Sequence, residues 1–290
     1  FPMFFHGSGG SVARGGGSIK DQVSWWSNSA ATYPKLTIQG EMIQRTFSSK
    51  EILNIKCTHL AREALNRKVS KSSFLPEPHL LKFSELVENE YVSFFENQVI
   101  VEELLKTTPY KYLSSLNLGS RPASRKKDKF SLESIRAIPW ILCWTQNRSL
   151  LPSWWGVGTA WHSLTQEEKD NLRETFKADK SFNSFIKTMG FTLQKVDLSM
   201  LALIFSQMSI NSKILERIKQ EFNWSISCVK ELSGEEELLW HRPWLQESIA
   251  LRSPNIHILN MLQLLAVKQN KEELLKETMV GIACGMMTTG

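Results

Sequence analysis

What most limits the fold of this 290-residue chain is the dominance of long segments whose apolar residues recur at helical spacing. Glu51 to Arg67 carries Ile52, Ile55, Leu60 and Ala64 at such intervals. Ser84 to Leu105 runs amphipathic through Leu86, Val92, Phe95, Val99, Val101, Leu104 and Leu105. Thr165 to Ala178 opens on Thr165-Gln-Glu-Glu168, which reads as a capping box: hydroxyl and carboxylate each satisfy the other residue's backbone N–H. Leu193 to Ile218, Glu235 to Leu251, Ile256 to Lys268 and Glu272 to Met286 continue the pattern. Against it stand short apolar runs that read as buried strands, at residues 1–5, 36–39 and 137–144, the last inside RAIPWILCWTQ. Strands spaced by long helical crossovers pair in parallel. The expectation is a mostly α chain with a few parallel β strands, too few to close a barrel alone.

Composition narrows the function classes. Hydrophobic residues at 42% and charged residues at 22% are those of a globular chain rather than a disordered one. Ten tryptophans favour an aromatic-rich core. The net charge of +6 suits an anionic small molecule as well as a nucleic acid. The basic run Arg125 to Lys129 has no interleaved aromatics, so it reads as a solvated loop and no nucleic-acid partner is expected. No apolar run approaches the roughly 20 residues that span a bilayer, so no membrane partner is expected either. Cys57, Cys143, Cys228 and Cys284 show no CxxC or CxxH spacing, which argues against zinc and for free, buried thiols in a reducing compartment; a cytoplasmic location is expected. The chain opens on Phe1-Pro2 without an initiator methionine or a basic leader, and reads as a piece of something longer.

The residues with chemical potential fall in four places. FHGSGGSVARGGG, residues 5–17, sets Gly7, Gly9, Gly10, Gly15 and Gly16 between His6 and Arg14. Glycines let successive backbone N–H groups line one concavity that holds an anion. Arg14 adds a bidentate grip, and His6 a group able to move a proton. Neither a Walker loop nor a Rossmann fingerprint fits this spacing, and a plain glycine-serine linker is the alternative. The second place is Gly119-Ser-Arg121-Pro, at the head of a polar basic segment at 119–130, with Arg136 just before the apolar run. An arginine at that entrance needs a carboxylate or a bound anion. The third is Trp144-Thr-Gln-Asn-Arg148 and LPSWWGVGTA, polar residues crowding the exit of the run, with tryptophans that read as core. The fourth is scattered: Lys195, Arg252 and the tail at 285–290.

Taken in order, these words resemble phosphoenolpyruvate carboxylase. FHGSGGSVARGGG is similar to that family's FHGRGGxxGRGG. QGEMI matches a family segment. LGSRPASR, ESIRAIPWILCWTQNR and LPSWWGVGTA resemble LGSRPxxR, ESLRAIPWxFxWTQNR and LPxWLGxGTA. PWLQESIALR and GIACGMMTTG resemble PWxxESIxLR and GIAAGMRNTG. The resemblance runs from near the first residue to the last and corresponds to the C-terminal third of a family member.

It implies a helix-rich (β/α) TIM-like barrel, of which residues 1–290 are the C-terminal portion, with a glycine loop at 5–17, a mobile basic loop at 119–130 and a helical part at 165–290. It implies carboxylation of phosphoenolpyruvate by bicarbonate to oxaloacetate and phosphate, with Mg²⁺ or Mn²⁺. The metal-binding carboxylates and the catalytic histidine belong to an N-terminal part upstream of Phe1. By the resemblance His6 lies in the active-site loop and Arg136 grips phosphate, with Arg121 on the mobile segment near that site. Arg14 serves both catalysis and an inhibitor site for aspartate or malate that it shares with Lys195, Arg252 and the position of Thr288. A homotetramer is implied. There are departures: Ser8 stands where the family has an arginine, Ala13 where it has a glycine, and Met287-Thr288 where it has Arg-Asn. Ser8 keeps a second reading open, a non-catalytic homologue that has lost a phosphate-binding arginine.

Overall fold

The computed structural model describes residues 47–65, 77–115 and 137–287. The glycine loop, the expected strands at 1–5 and 36–39, and the basic loop at 119–130 lie outside them. The described elements are α1 (Lys50–Leu65), α2 (Pro78–Phe95), α3 (Gln98–Lys106), α4 (Ala137–Gln146), α5 (Val157–Ser163), α6 (Gln166–Ala178), α7 (Lys180–Leu193), α8 (Leu198–Gln207), α9 (Ser212–Ser233), α10 (Pro243–Lys268) and α11 (Glu272–Gly285). Short 3₁₀ turns occur at Tyr110–Ser115 and Leu151–Ser153. Among the described residues there is no strand.

The run at 137–144 is therefore a helix, α4, and not the strand its sequence implied. The physical reason is burial. Leu142, Cys143, Trp144, Thr145 and Gln146 are all buried, and the exposed residue among 140–146, Ile141, is itself apolar, so the segment has no polar stripe and shows no period to read. Pro139 stands in its first turn, where a missing N–H leaves no helical bond unmade.

Local capping chemistry sets the other boundaries. The capping box at Thr165 forms: its hydroxyl accepts from Glu168 N at 3.3 Å, and Glu168 accepts from Thr165 N at 2.8 Å. The continuous helix expected over Ser84 to Leu105 divides because the Asn97 side chain accepts from Ile100 N and starts α3. Leu193 to Ile218 divides twice: Asp197 caps α8 through Met200 N, and Asn211 caps α9 through Lys213 N. Gly234, at φ 73°, ends α9, and α10 begins only at Pro243. It then runs through Pro254 to Lys268, joining two segments that the sequence separated. α5 and α7 were not among the expected helices. Of the four cysteines, Cys143 and Cys228 are buried and free, while Cys57 and Cys284 are free and exposed, which corrects the expectation that all are buried.

α9 is the axle of the core, packed against α5, α6, α7 and α8, with α2 lying across α5 and α6. Phe94 stacks on Trp155 with ring centroids 3.7 Å apart, and Trp154 meets Phe222 edge-on at 5.5 Å. At Gly158 the helices touch so closely that a Cβ would lie 2.5 Å from the Glu221 carbonyl oxygen. The buried Glu221 carboxylate accepts from Gly158 N, Thr159 N and the Thr159 hydroxyl, so α9 caps α5. Burial pushes the Glu221 carboxyl up, and those bonds offset only part of the rise. α10 and α11 form a hairpin whose second arm rests on α4. No single helix among the described residues is long and apolar enough to cross a membrane.

Candidate functional site

The polar residues leaving α4 do not reach solvent. Gln146, Asn147, Arg148 and Ser149 are each at most 2% exposed. Buried polar groups cost free energy unless paired, and this stretch is paired almost throughout. Gln146 donates to the Met279 carbonyl of α11 at 3.0 Å and accepts from Gln263 at 2.6 Å. Asn260 donates to the Gln146 carbonyl at 2.7 Å. Asn147 donates to the Thr107 hydroxyl at 2.9 Å and accepts from Ser149 N and Oγ. Trp154 Nε1 donates to the Ser149 carbonyl at 2.9 Å. The knot ties α4 to α3, α10, α11 and the aromatic core.

Arg148 is the exception. Its backbone is left-handed, at φ 63°, a conformation that costs a non-glycine residue about 1–3 kcal/mol. Only Nη2 is engaged, donating to Ser253 Oγ at 3.1 Å and lying 3.6 Å from Asp197 Oδ2. Nε and Nη1 are buried and have no hydrogen-bond partner among the described residues. Burial pulls the guanidinium's proton affinity down, and Asp197 only partly restores it. A guanidinium still holds its proton at neutral pH. The result is a buried cation with two N–H groups free to grip an oxyanion.

Lys195 is the second buried cation, 4% exposed. Burial alone holds its ammonium down at about 8, and no carboxylate among the described residues pairs with it. Its Nζ lies 4.1 Å from the Phe191 ring centroid. Phe191 belongs with Met287 to the cluster of Leu239, Leu245 and Ile249, so Lys195, the start of α10 and the residue next to Thr288 gather around one apolar patch. The Lys195 segment also adjoins Arg148, because Asp197 N donates to the Arg148 carbonyl at 3.0 Å. Arg252 is exposed on α10, beside the Ser253 that Arg148 contacts.

Sequence reasoning thus named Lys195 and Arg252, and the structure draws both segments to Arg148. Arg148 itself was quoted in a motif and not selected. The signal was present, an arginine closing a polar stretch directly after an apolar run, but its burial was not. His6, Arg14, Arg121, Arg136, Thr288 and Gly7, Gly9, Gly10, Gly15 and Gly16 lie outside the described residues. Among the described residues no group of three or more His, Cys, Asp or Glu is placed to hold a metal ion.

Among the described residues the structure thus buries two cations, Arg148 with one carboxylate partner and Lys195 with none. The family model described as phosphoenolpyruvate carboxylase matches residues 3–290, and the chain belongs to that family. The family is one of carboxylating lyases and generally uses a divalent metal.

Proposed function

We propose that this chain is the C-terminal part of a phosphoenolpyruvate carboxylase that makes oxaloacetate and phosphate from phosphoenolpyruvate and bicarbonate. The observation that carries the reading is the family match over residues 3–290. The buried, half-paired guanidinium of Arg148 supports it, because the substrate is a compact polyanion. In the reaction a bicarbonate oxygen attacks phosphorus, and the bond to the enol oxygen breaks with its electron pair. This leaves carboxyphosphate and the enolate of pyruvate. Carboxyphosphate then releases CO₂ and phosphate, and the enolate carbon attacks CO₂ to form oxaloacetate.

The chain's part is electrostatic. Arg148, from a water-excluded position, holds phosphoryl oxygens whose charge is redistributed as the bond breaks. Arg136, Arg14 and Arg121 bring further cations, His6 sits beside the reacting anions, and the glycines of 5–17 close over them to keep water from protonating the enolate. The described residues do not fit a divalent-metal site; by the resemblance, carboxylates of an N-terminal part of the enzyme would hold Mg²⁺ or Mn²⁺. Lys195, Arg252 and the tail at Thr288, with Arg14, form the pocket for aspartate or malate as feedback inhibitor. The enzyme is cytoplasmic and a homotetramer.

A malate-dehydrogenase-coupled assay with the N-terminal part present tests this. Bicarbonate-dependent NADH oxidation at saturating phosphoenolpyruvate and Mg²⁺ is expected, and its absence overturns the reading. Ser8, where the family has an arginine, supports a second reading, a homologue that has kept its packing and lost its chemistry. Ser8→Arg separates the two. One charge-assisted contact to phosphate is worth about 1.5–3 kcal/mol, so a decayed enzyme gains roughly ten- to a hundredfold.

A further inference from the structure

We propose that Asp197 and His257 are a positioning pair for Arg148: the carboxylate holds the guanidinium, and the charge on the imidazole sets how strongly Arg148 draws an anion. The inference rests on the reading that Arg148 binds a substrate anion. It concerns residues that the motif resemblance did not select.

The geometry is a closed set of four side chains. Asp197 divides its two oxygens. Oδ1 accepts from Met200 N at 2.9 Å and is committed to capping α8. Oδ2 alone faces the site, and there it is shared by His257 Nε2, in close contact, and Arg148 Nη2 at 3.6 Å. Ser253 and His257 stand one turn apart on α10. Ser253 Oγ accepts from Arg148 Nη2 at 3.1 Å and lies 3.4 Å from His257 Nε2. Main chain reinforces side chain, since Asp197 N donates to the Arg148 carbonyl. Among the described residues every polar contact of the guanidinium thus falls on Nη2, which leaves Nε and Nη1 buried and unpaired.

Charge makes this more than a brace. Burial opposes the Asp197 charge, yet the Met200 N–H, His257 and Arg148 together hold the carboxyl below its usual range. With His257 neutral, Asp197 compensates Arg148 and the three groups sum to zero. With His257 protonated, the carboxylate is drawn to the nearer imidazolium and the three sum to +1. An anion at Nε and Nη1 then meets a net positive cluster in a low-dielectric setting. Histidine is the side chain whose charge changes between about pH 5 and 8. The His257 side chain is 41% exposed, so its proton exchanges with solvent. The charged groups on the elements around it are Arg148 after α4, Lys195 and Asp197 before α8, Glu247, Arg252 and Lys268 on α10, and Glu272, Glu273, Lys276 and Glu277 on α11. Asp197 is its ion-pair partner among the described residues.

Sulfate titrated into the full chain by calorimetry tests the pair, because sulfate stays a dianion from pH 5.5 to 7.5 and Lys195, at about 8, keeps most of its charge there. The wild-type protein is expected to bind sulfate three- to tenfold more tightly at pH 5.5 than at pH 7.5. His257→Gln keeps a neutral hydrogen-bonding side chain and is expected to bind equally at both. Asp197→Asn retains a good helix cap and is expected to abolish the same slope. Arg148→Met is expected to lose sulfate at every pH. If Arg148→Met binds sulfate like the wild type, the anion assignment falls and the pair has nothing to position. If Arg148→Met loses binding while His257→Gln keeps the wild-type slope, the assignment stands and the pair is overturned.

Discussion

The aromatic core between α2, α5 and α9 and the polar knot between α4, α8, α10 and α11 are equally sealed: Trp155 and Arg148 are each 2% exposed. Both leave polar atoms without partners. In the core these include the indole N–H groups of Trp155 and Trp161, and in the knot Nε and Nη1 of Arg148. The indole is neutral, and its unmet bond costs about 1–3 kcal/mol, which the burial of so large a ring offsets. The guanidinium is charged, and burial works against that charge. Burial and unmet hydrogen bonds are therefore common to a structural core and a binding site. What separates the two regions is charge: the unpaired Nε and Nη1 of the knot belong to a buried cation, the indole N–H groups of the core to neutral rings.

Substitutions in the two regions should diverge in kind. Trp155→Ala empties the stack on Phe94 and is expected to destabilise the protein by about 3–5 kcal/mol in chemical denaturation. A tolerated change there would break the comparison from the core side. Lys195→Met should act the other way, stabilising the protein at neutral pH by on the order of 3 kcal/mol. The sign follows from its folded value of about 8 against an unfolded 10.5. Below pH 8 both states hold the proton, and the fold bears the full cost of the buried charge. Between pH 8 and 10.5 the unfolded chain binds more protons, so wild-type stability rises with pH. Melting curves of Lys195→Met should lose that rise, and a variant that keeps it would show that the rise does not come from Lys195. Arg148→Met should weaken sulfate binding at least tenfold, and because Asp197 keeps His257 and the Met200 N–H as partners, it should lower the melting temperature less than Trp155→Ala does. A large fall in melting temperature would make Arg148 a structural residue like Trp155. The smallest effect belongs to the surface: Thr165→Ala removes one half of a capping box and should cost about 1 kcal/mol.

Legibility in the sequence followed solvent exposure. The capping box at Thr165 was readable because its partners are three residues apart and the helix has a wet face. The limits of α11 were readable for the same reason, within one residue. α4 was misread because its exposed residue, Ile141, is itself apolar, so no polar stripe reveals the period. The breaks at Asn97, Asp197 and Asn211 were written in the sequence as caps, but each lies inside a longer apolar pattern that masks it. In the site, Lys195 and Arg252 were found through motifs rather than through chemistry. Arg148 and its Asp197–His257 pair were not found, since no spacing rule brings residues 148, 197, 253 and 257 together.

From the order of residues alone came the helical character of the chain, the family to which its motifs are similar, and the segments that carry positive charge. Those depend on local preference and on words a few residues long. Which cation is stripped of water, and which carboxylate answers it, came from the packing of α4 against α8, α10 and α11. Solvation and Coulomb energies depend on distances through space, and chain separation does not encode them.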